Sequence, residues 1–283
     1  MPTLPPRVLH RDDLVTISEV GCPDGPAAQP EFDRSPRDLL VLPRHGLFTW
    51  HRHGGEWLAA DAGSALVLRA GEGYRVRHPL GGGDRSTVLE FPGATIDETL
   101  ADQGSRLRPM AGAADVLHRR LVAAIVQRTA DGLVVDEVAL ALLGHVARPW
   151  APPTAGTRRA AGRRARIVAR TRERLHATLD EPVTLMVLAR GVGVSPFHLA
   201  RIFRAATGSS IHGYRLRLRL AAALDRLAGG APDLTDLALE LGFADHGHFS
   251  RTVRRELGVP PSRLRAPAGA GELRSLVHRL RAG

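Results

Sequence analysis

The chain has 283 residues, enough for two domains with independent cores. No apolar run reaches the roughly 20 residues that cross a bilayer, and no basic start leads into an apolar stretch, so a soluble, unexported, cytoplasmic protein with no membrane partner is expected. Cys22 is the single cysteine, which excludes an internal disulfide or a cysteine metal cluster.

The formal net charge of +10 is unevenly placed. Residues 1–147 hold 15 Arg against 19 acidic residues, while residues 148–283 hold 24 Arg against 10. A polyanionic partner is therefore expected at the C-terminal half.

The first 30 or so residues, rich in Pro and Gly, read as a loose lead-in. From Leu39 to about Phe91, the short runs DLLVL, GLFTWHRH, EWLAAD, SALVLRA, YRVRHP and STVLEF are separated by Gly-containing turns. That spacing predicts a small antiparallel sandwich or barrel. The period then changes. Ala113 to Thr129 places Val116, Leu117, Leu121, Ala124 and Ile125 on one helical face, and Asp136 to Ala147 forms a second apolar helix. Arg148 to about Arg164 lacks apolar periodicity and reads as a linker with a basic end. From Ile167 to Arg265 the pattern is helical throughout, and a short basic helix, ELRSLVHRLR, ends the chain.

The helical half contains an echo. LARGVGVSPFHLARIFRAATGSSIHGYR, from Leu188, returns as LALELGFADHGHFSRTVRRELGVPPSRLR, from Leu237. Gly193 aligns with Gly242 at an offset of 49, and Arg201 with Arg251 at an offset of 50, so one residue is inserted in the second turn near Ala244. In the first copy Thr184 can cap a short helix, and Ser195 followed by Pro196 starts the next. Leu199, Ile202 and Phe203 are placed inward, while Phe197, Ala200, Arg201 and Arg204 share the opposite face. In the second copy Asp245 is the expected N-cap and Phe249, Val253 and Leu257 form the inward stripe. His246, Gly247, Ser250, Arg251 and Arg254 look outward.

Each copy is helix, Gly-containing turn, helix, and an outward helix of that kind fits a major groove, where Arg presents two donors to guanine. Between the copies, Ile211 to Ala228 reads as one long helix of about 27 Å. Such a rod would set two recognition helices into successive grooves, about 34 Å apart. Its Arg215, Arg217 and Arg219 are read as solvated or touching phosphate.

With these landmarks in place, residues 166–266 resemble the DNA-binding domain of the AraC/XylS family of transcription regulators. The resemblance rests on Gly242-Phe243, Phe249-Ser250-Arg251, Gly258-Val259-Pro260-Pro261 and Arg265. It implies an all-α domain of two helix-turn-helix units joined by a long helix, with double-stranded DNA as partner. It also implies that Phe197, Ala200 and Arg201, then His246, Gly247 and Arg251, face bases. Gly247 and His248 depart from the family's usual residues, so the first unit is expected to discriminate more.

The N-terminal residues resemble the cupin-like sensor domains of such regulators. His51-x-His53 followed by Glu56 is similar to a first cupin metal motif, but Tyr74 stands where the second would place a histidine. Parity puts His51 and His53 on the face opposite Phe48 and Trp50, so no metal or other cofactor is expected. Trp50, Trp57 and Tyr74 are the candidates to line a small-molecule cavity.

The whole is read as an α+β chain and as a regulator, not an enzyme. Its parts are a cupin-like β domain (1–105), a helical pair (106–147) suited to homodimerisation, a linker (148–165), the DNA-binding domain (166–266) and a basic tail (267–283). An effector-responsive regulator, touching RNA polymerase if it activates, is the leading reading. A metal-dependent cupin enzyme tethered to DNA and a regulator controlled without ligand are the rivals.

Overall fold

The computed structural model describes residues 5–22, 33–52, 57–80, 83–92, 95–96, 99, 106–110, 112–148, 158–228, 233–257, 259–266 and 268–282. Part of the stretch expected to be a loose lead-in is sheet. β1 (Arg7–Arg11) pairs with β2 (Thr16–Cys22), and β2 pairs antiparallel with β8 (Asp84–Glu90) from Thr16 opposite Glu90 to Cys22 opposite Asp84. The alternation of Val15 and Ile17, both buried, with Thr16 and Ser18 is what admits this segment to the sheet.

The runs DLLVL and GLFTWHRH, expected as separate strands, are one 14-residue strand, β4 (Leu39–Arg52). Its first half pairs with β8 and with β6 (Ser64–Leu68), its second with β5 (Trp57–Asp61) and β7 (Gly73–Arg77). The ladder shifts register between Pro43 and His45, a bulge at the one residue without an amide to donate. At Gly46 φ is +78°, and a Cβ there would stand 2.3 Å from the Gly83 carbonyl oxygen, so only glycine allows the strand to cross from one sheet to the other. β9 (Arg106–Pro109) pairs with β6, which carries the β domain past residue 105, and β3 (Asp33–Arg34) pairs with β7.

The first half of β4 is buried on both faces. Leu40 and Leu42 join Ile17, Val67 and Leu89 beneath helices α1 (Gly112–Val126) and α2 (Gly132–Ala147), which meet them with Leu117, Leu121, Val135 and Val138. Val41, Phe48 and Trp50 point the other way, into a barrel interior shared with Ala60, Leu66 and Leu68. Asp131 starts α2 by accepting from the Val134 amide at 2.9 Å.

Among the described residues eight helices follow: α3 (Arg158–Ala177), α4 (Leu185–Gly191), α5 (Pro196–Thr207), α6 (Ile211–Ala228), α7 (Leu234–Glu240), α8 (His246–Leu257), α9 (Pro261–Arg265) and α10 (Ala270–Ala282). α3 thus begins within the expected linker, whose residues 149–157 lie outside the described ones. The basic tail has a packing role: Leu273, Leu276, Val277 and Leu280 of α10 are buried in the same cluster as α1 and α2. Independent cores were expected, yet that cluster runs on through Leu237, Phe243, Phe249 and Val253 of the second repeat. The first repeat has its own cluster, around Leu188, Leu199, Phe203 and Leu218, which includes Ala62 of the β domain. No described helix is long and apolar enough to cross a membrane.

Candidate nucleic-acid interface

The two repeats are built by the same backbone device. In the first, α4 ends as the Gly193 amide bonds Arg190 O at 3.2 Å and the Val194 amide bonds Ala189 O at 3.1 Å. In the second, Gly242 bonds Leu239 O and Phe243 bonds Ala238 O, both at 2.9 Å. Both glycines are left-handed, at φ +71° and +73°. The next helix is capped by Ser195, accepting from His198 at 3.2 Å with Pro196 at the first helical position, and by Asp245, accepting from His248 at 2.6 Å. The extra residue near Ala244 is absorbed between glycine and cap, leaving both helices intact.

Leu199, Ile202 and Phe203 of α5 are buried, as are Phe249, Val253 and Leu257 of α8. The opposite faces are open. Phe197 is 81% exposed, Arg201 and Arg204 are exposed and Ala200 is half-buried. On α8, His246, Arg251 and Arg254 are exposed and Gly247 and Ser250 half-buried. The two faces differ in how free their arginines are. Arg201 has a long 3.5 Å contact with His198 Nδ1. Arg251 folds back over Gly247, where a Cβ would stand 3.1 Å from both Arg251 Nη1 and Asp245 Oδ1. Of the two side-chain ends that crowd that Cβ, Arg251 can swing away and the capping Asp245 Oδ1 need give only a few tenths of an ångström, so Gly247→Ala is expected to raise thermal stability, by up to about 1 kcal/mol, and to displace Arg251. A melting curve beside a DNA-affinity measurement checks both effects.

Two of the three arginines expected to be solvated or on phosphate, Arg215 and Arg219, are instead structural. Arg215 donates to Thr178 O at 2.9 Å, and also to Leu179 O and Glu181 O. Arg219 donates to Leu179 O at 2.8 Å and to Gly242 O at 2.7 Å, lying over the Phe243 ring. They pin the loop after α3, and Arg219 also holds the second turn. Gly242 must be glycine twice over, for its φ and because a Cβ would stand 2.3 Å from Arg219 Nη2 and 2.6 Å from Asp180 O. Carbonyl partners satisfy a guanidinium better than open solvent offers at a half-buried position.

Sequence reasoning missed the contact that orients the first unit. Asp61, at the end of β5 and fully buried, accepts from Arg172 of α3 through Nε at 3.0 Å and through Nη2, from the Gly63 amide at 2.9 Å, and from the Tyr214 hydroxyl. His176, one turn after Arg172, lies 3.0 Å from Asp61 Oδ2, the oxygen that also takes Arg172 Nε. Arg172 also donates to Ser64 Oγ at 3.0 Å and to Ala59 O. Burial alone would raise the Asp61 carboxyl, but the Arg172 guanidinium and His176 hold it below the usual carboxylate range. Tyr214 in turn meets Phe203 edge-on, ring centroids 5.1 Å apart. A chain of contacts therefore leads from the β5–β6 turn to the inward face of α5. Its partners lie more than a hundred residues apart, and no local pattern announces such a pair.

Two further buried arginines fasten the second half. Arg119 of α1 bonds Asp115 at 2.9 Å, Asp225 of α6 at 2.7 Å and Arg44 O at 2.8 Å. Arg120 grips Glu272 of α10 by Nε and Nη2, at 2.9 and 2.8 Å, and donates to Ala266 O at 2.8 Å.

In the barrel, Trp50, Trp57 and Tyr74 do not line one cavity. Trp50 pairs with Leu58 and Val76, and Tyr74 with Arg52, which puts both on the interior face. Trp57 pairs with His51 across the strands, and cross-strand partners share a face, so it stands outside, stacked on His51 at 4.9 Å and capped by Arg77. Tyr74 donates to Asp33 at 3.3 Å, and burial, with Asp33 beside it, pushes its hydroxyl up to about 12. His53 and Glu56 lie outside the described residues. A group not singled out in the sequence, His10, Asp12 and Asp136, brings its ligand-type atoms within 4.8 Å of one another.

A helix-turn-helix domain family matches residues 188–267. Regulatory protein ada of Salmonella typhimurium is 36% identical over 86 residues, 30% of this chain and 24% of that protein. Regulatory protein SoxS of the same organism is 33% identical over 87 residues, 31% of this chain and 81% of SoxS. Among solved structures, a transcriptional regulator with an AraC-type DNA-binding domain from Chromobacterium violaceum is 29% identical, with a TM-score of 0.34, over 35% of this chain and 89% of that one. The chain thus spans about a quarter of ada but most of SoxS. With the paired turns, caps and open helix faces, the match to SoxS makes this chain a member of the AraC/XylS family of DNA-binding transcription regulators.

Proposed function

We propose that the protein recognises a specific operator through α5 and α8 and is switched by a small-molecule effector held against its N-terminal half. Phe197, Ala200, Arg201 and Arg204 face one groove, and His246, Gly247, Ser250, Arg251 and Arg254 the next. The observation that carries this reading is the pair of open faces on helices whose inward stripes are fully packed, on the half of the chain rich in Arg. Effector control is supported by the continuity of the β domain with both repeats, through the Asp61 contacts and the shared core.

The protein acts in the cytoplasm, as a homodimer. Leu133 and Leu140, seven residues apart on α2, are 70% and 39% exposed, and an apolar pair on one helical face suits a second copy. If it activates, RNA polymerase is a further partner.

Selection of duplexes from a randomised library by the full-length protein tests the central claim. The expected product is a motif of two half-sites about one helical turn apart, bound with a steep salt dependence. Enrichment of no motif, with binding still salt-dependent, would identify an architectural binder instead.

A further inference from the structure

Away from the reading heads and the barrel interior, three side chains of ligand type meet where the turn between β1 and β2 rests on α2. They are His10 at the end of β1, Asp12 in the turn and Asp136 on α2. His10 Nε2 lies 2.6 Å from Asp12 Oδ2. The other oxygen of Asp12 accepts from the Leu14 and Val15 amides at 2.9 Å each, which fixes the carboxylate with Oδ2 toward the imidazole. Asp136 completes the group, one ligand-type atom of each residue lying within 4.8 Å of the other two.

The group is electrostatically unbalanced. Two carboxylates face each other, and among the described residues no arginine pairs with either. Like charges so placed repel unless a proton or a cation joins them. In addition, Asp136 Oδ1 is closed to solvent and takes no hydrogen bond. A buried acceptor without a donor is costly, and a positive partner removes that cost.

The donor set says which cation fits. An imidazole beside two carboxylates suits a transition metal, whereas magnesium and calcium prefer oxygen alone. Donor atoms around a four-coordinate ion, with bonds of about 2.0–2.2 Å, stand roughly 3.4 Å apart. The separations here bracket that value, from 2.6 Å to no more than 4.8 Å, so side-chain rotations on the order of an ångström close the set.

We propose that His10, Asp12 and Asp136 bind a divalent transition-metal ion of the zinc type, which clamps the turn between the first two strands onto α2. The site is separate from the His51 motif of the barrel, and neither it nor its test depends on the operator reading. Its ligands come from opposite ends of the N-terminal half, so no local spacing in the sequence announces it.

Zinc titration of the full-length protein at neutral pH, after dialysis against a chelator, tests the site. One zinc per chain is expected to bind saturably, at least tenfold more tightly than magnesium. Asp136→Asn and His10→Gln should each weaken it at least tenfold, while His51→Ala leaves it unchanged. Zinc at about 100 times its Kd should raise the melting temperature of the parent by roughly 5 °C and that of neither site variant. Without metal, both variants are expected to keep a cooperative melting transition, so that lost zinc is not lost fold. Absence of saturable zinc binding overturns the assignment and leaves a proton shared between the two carboxyls as the neutraliser. Zinc binding that both substitutions leave unchanged also overturns it, and places the metal on other histidines.

Discussion

Asp61→Asn will lower the unfolding free energy by about 3–5 kcal/mol, the loss expected when one member of a buried ion pair is removed and the other stays charged. Arg172 is itself buried, and among its partners in the described residues only Asp61 carries a compensating charge. An amide keeps the shape of the carboxyl, but it cannot supply that charge, and it turns an N–H toward donors. Urea unfolding of the full chain measures the loss, and a value under about 1 kcal/mol would show that the network adds little. The double variant Asp61→Leu, Arg172→Met is expected to recover part of the deficit, because apolar replacements remove the stranded charge. The pH dependence has a definite sign. Asp61 is held below its ordinary 3.8 in the folded protein, so its contribution is complete above that pH and is lost as pH falls through the folded value. The stability gap between parent and variant therefore closes in acid and is constant at neutral pH.

The network also decides what the β domain can do to DNA binding. Arg172, His176 and Tyr214 belong to two different helices of the DNA-binding half, and all three converge on one residue in a β strand. Gly63, in the turn just after it, is so close to Tyr214 that a Cβ would stand 2.9 Å from the ring. A shift of this turn would be passed through a packed aromatic pair to α5, whereas α8 answers to α1 through the larger shared core. The two reading heads are thus referred to different parts of the N-terminal half.

Periodicity located the helices well, because one buried face leaves a mark on every turn. Ile211 to Ala228 is bounded as its sequence predicts, and the caps Thr184, Ser195 and Asp245 lie where their side chains can accept from free amides. The repeat was legible for the same reason: Gly193 and Gly242 punctuate both turns. Less legible were features fixed by distant partners. Pro43 and Gly46 look like a turn between two strands, and only the ladder to β8 shows that they bend one strand. Arg215 and Arg219 look like surface charge on an amphipathic rod, since the carbonyls that take them come from loops 23 to 40 residues away. Trp57 carried no sign of its face, because its pairing with His51 across the strands sets it and composition does not.

Arg201→Ala is expected to weaken operator binding by about 1–3 kcal/mol, roughly five- to 150-fold, and to relax preference at the base it reads. Arg251→Ala should cost less, below about 1 kcal/mol. Arg201 is exposed and lightly held by His198, so it reaches a base edge at little cost, and Phe197 beside it offers an apolar face to a thymine methyl. Arg251 must first leave its place over Gly247, where the Asp245 carboxylate attracts it through space, and Gly247 itself brings no side chain to the groove. Arg204 and Arg254, further along each helix, are expected to act on phosphate, so that replacing either lowers affinity for all sequences alike and reduces the salt slope by about one. Titrations of the selected operator and its single-base variants with the four alanine proteins separate these roles. Equal losses of affinity and of base preference at Arg201 and Arg251 would show that the fold-back of Arg251 has no bearing on recognition; the expected inequality would make the first unit the principal reader of the operator and leave the second to hold the duplex in register.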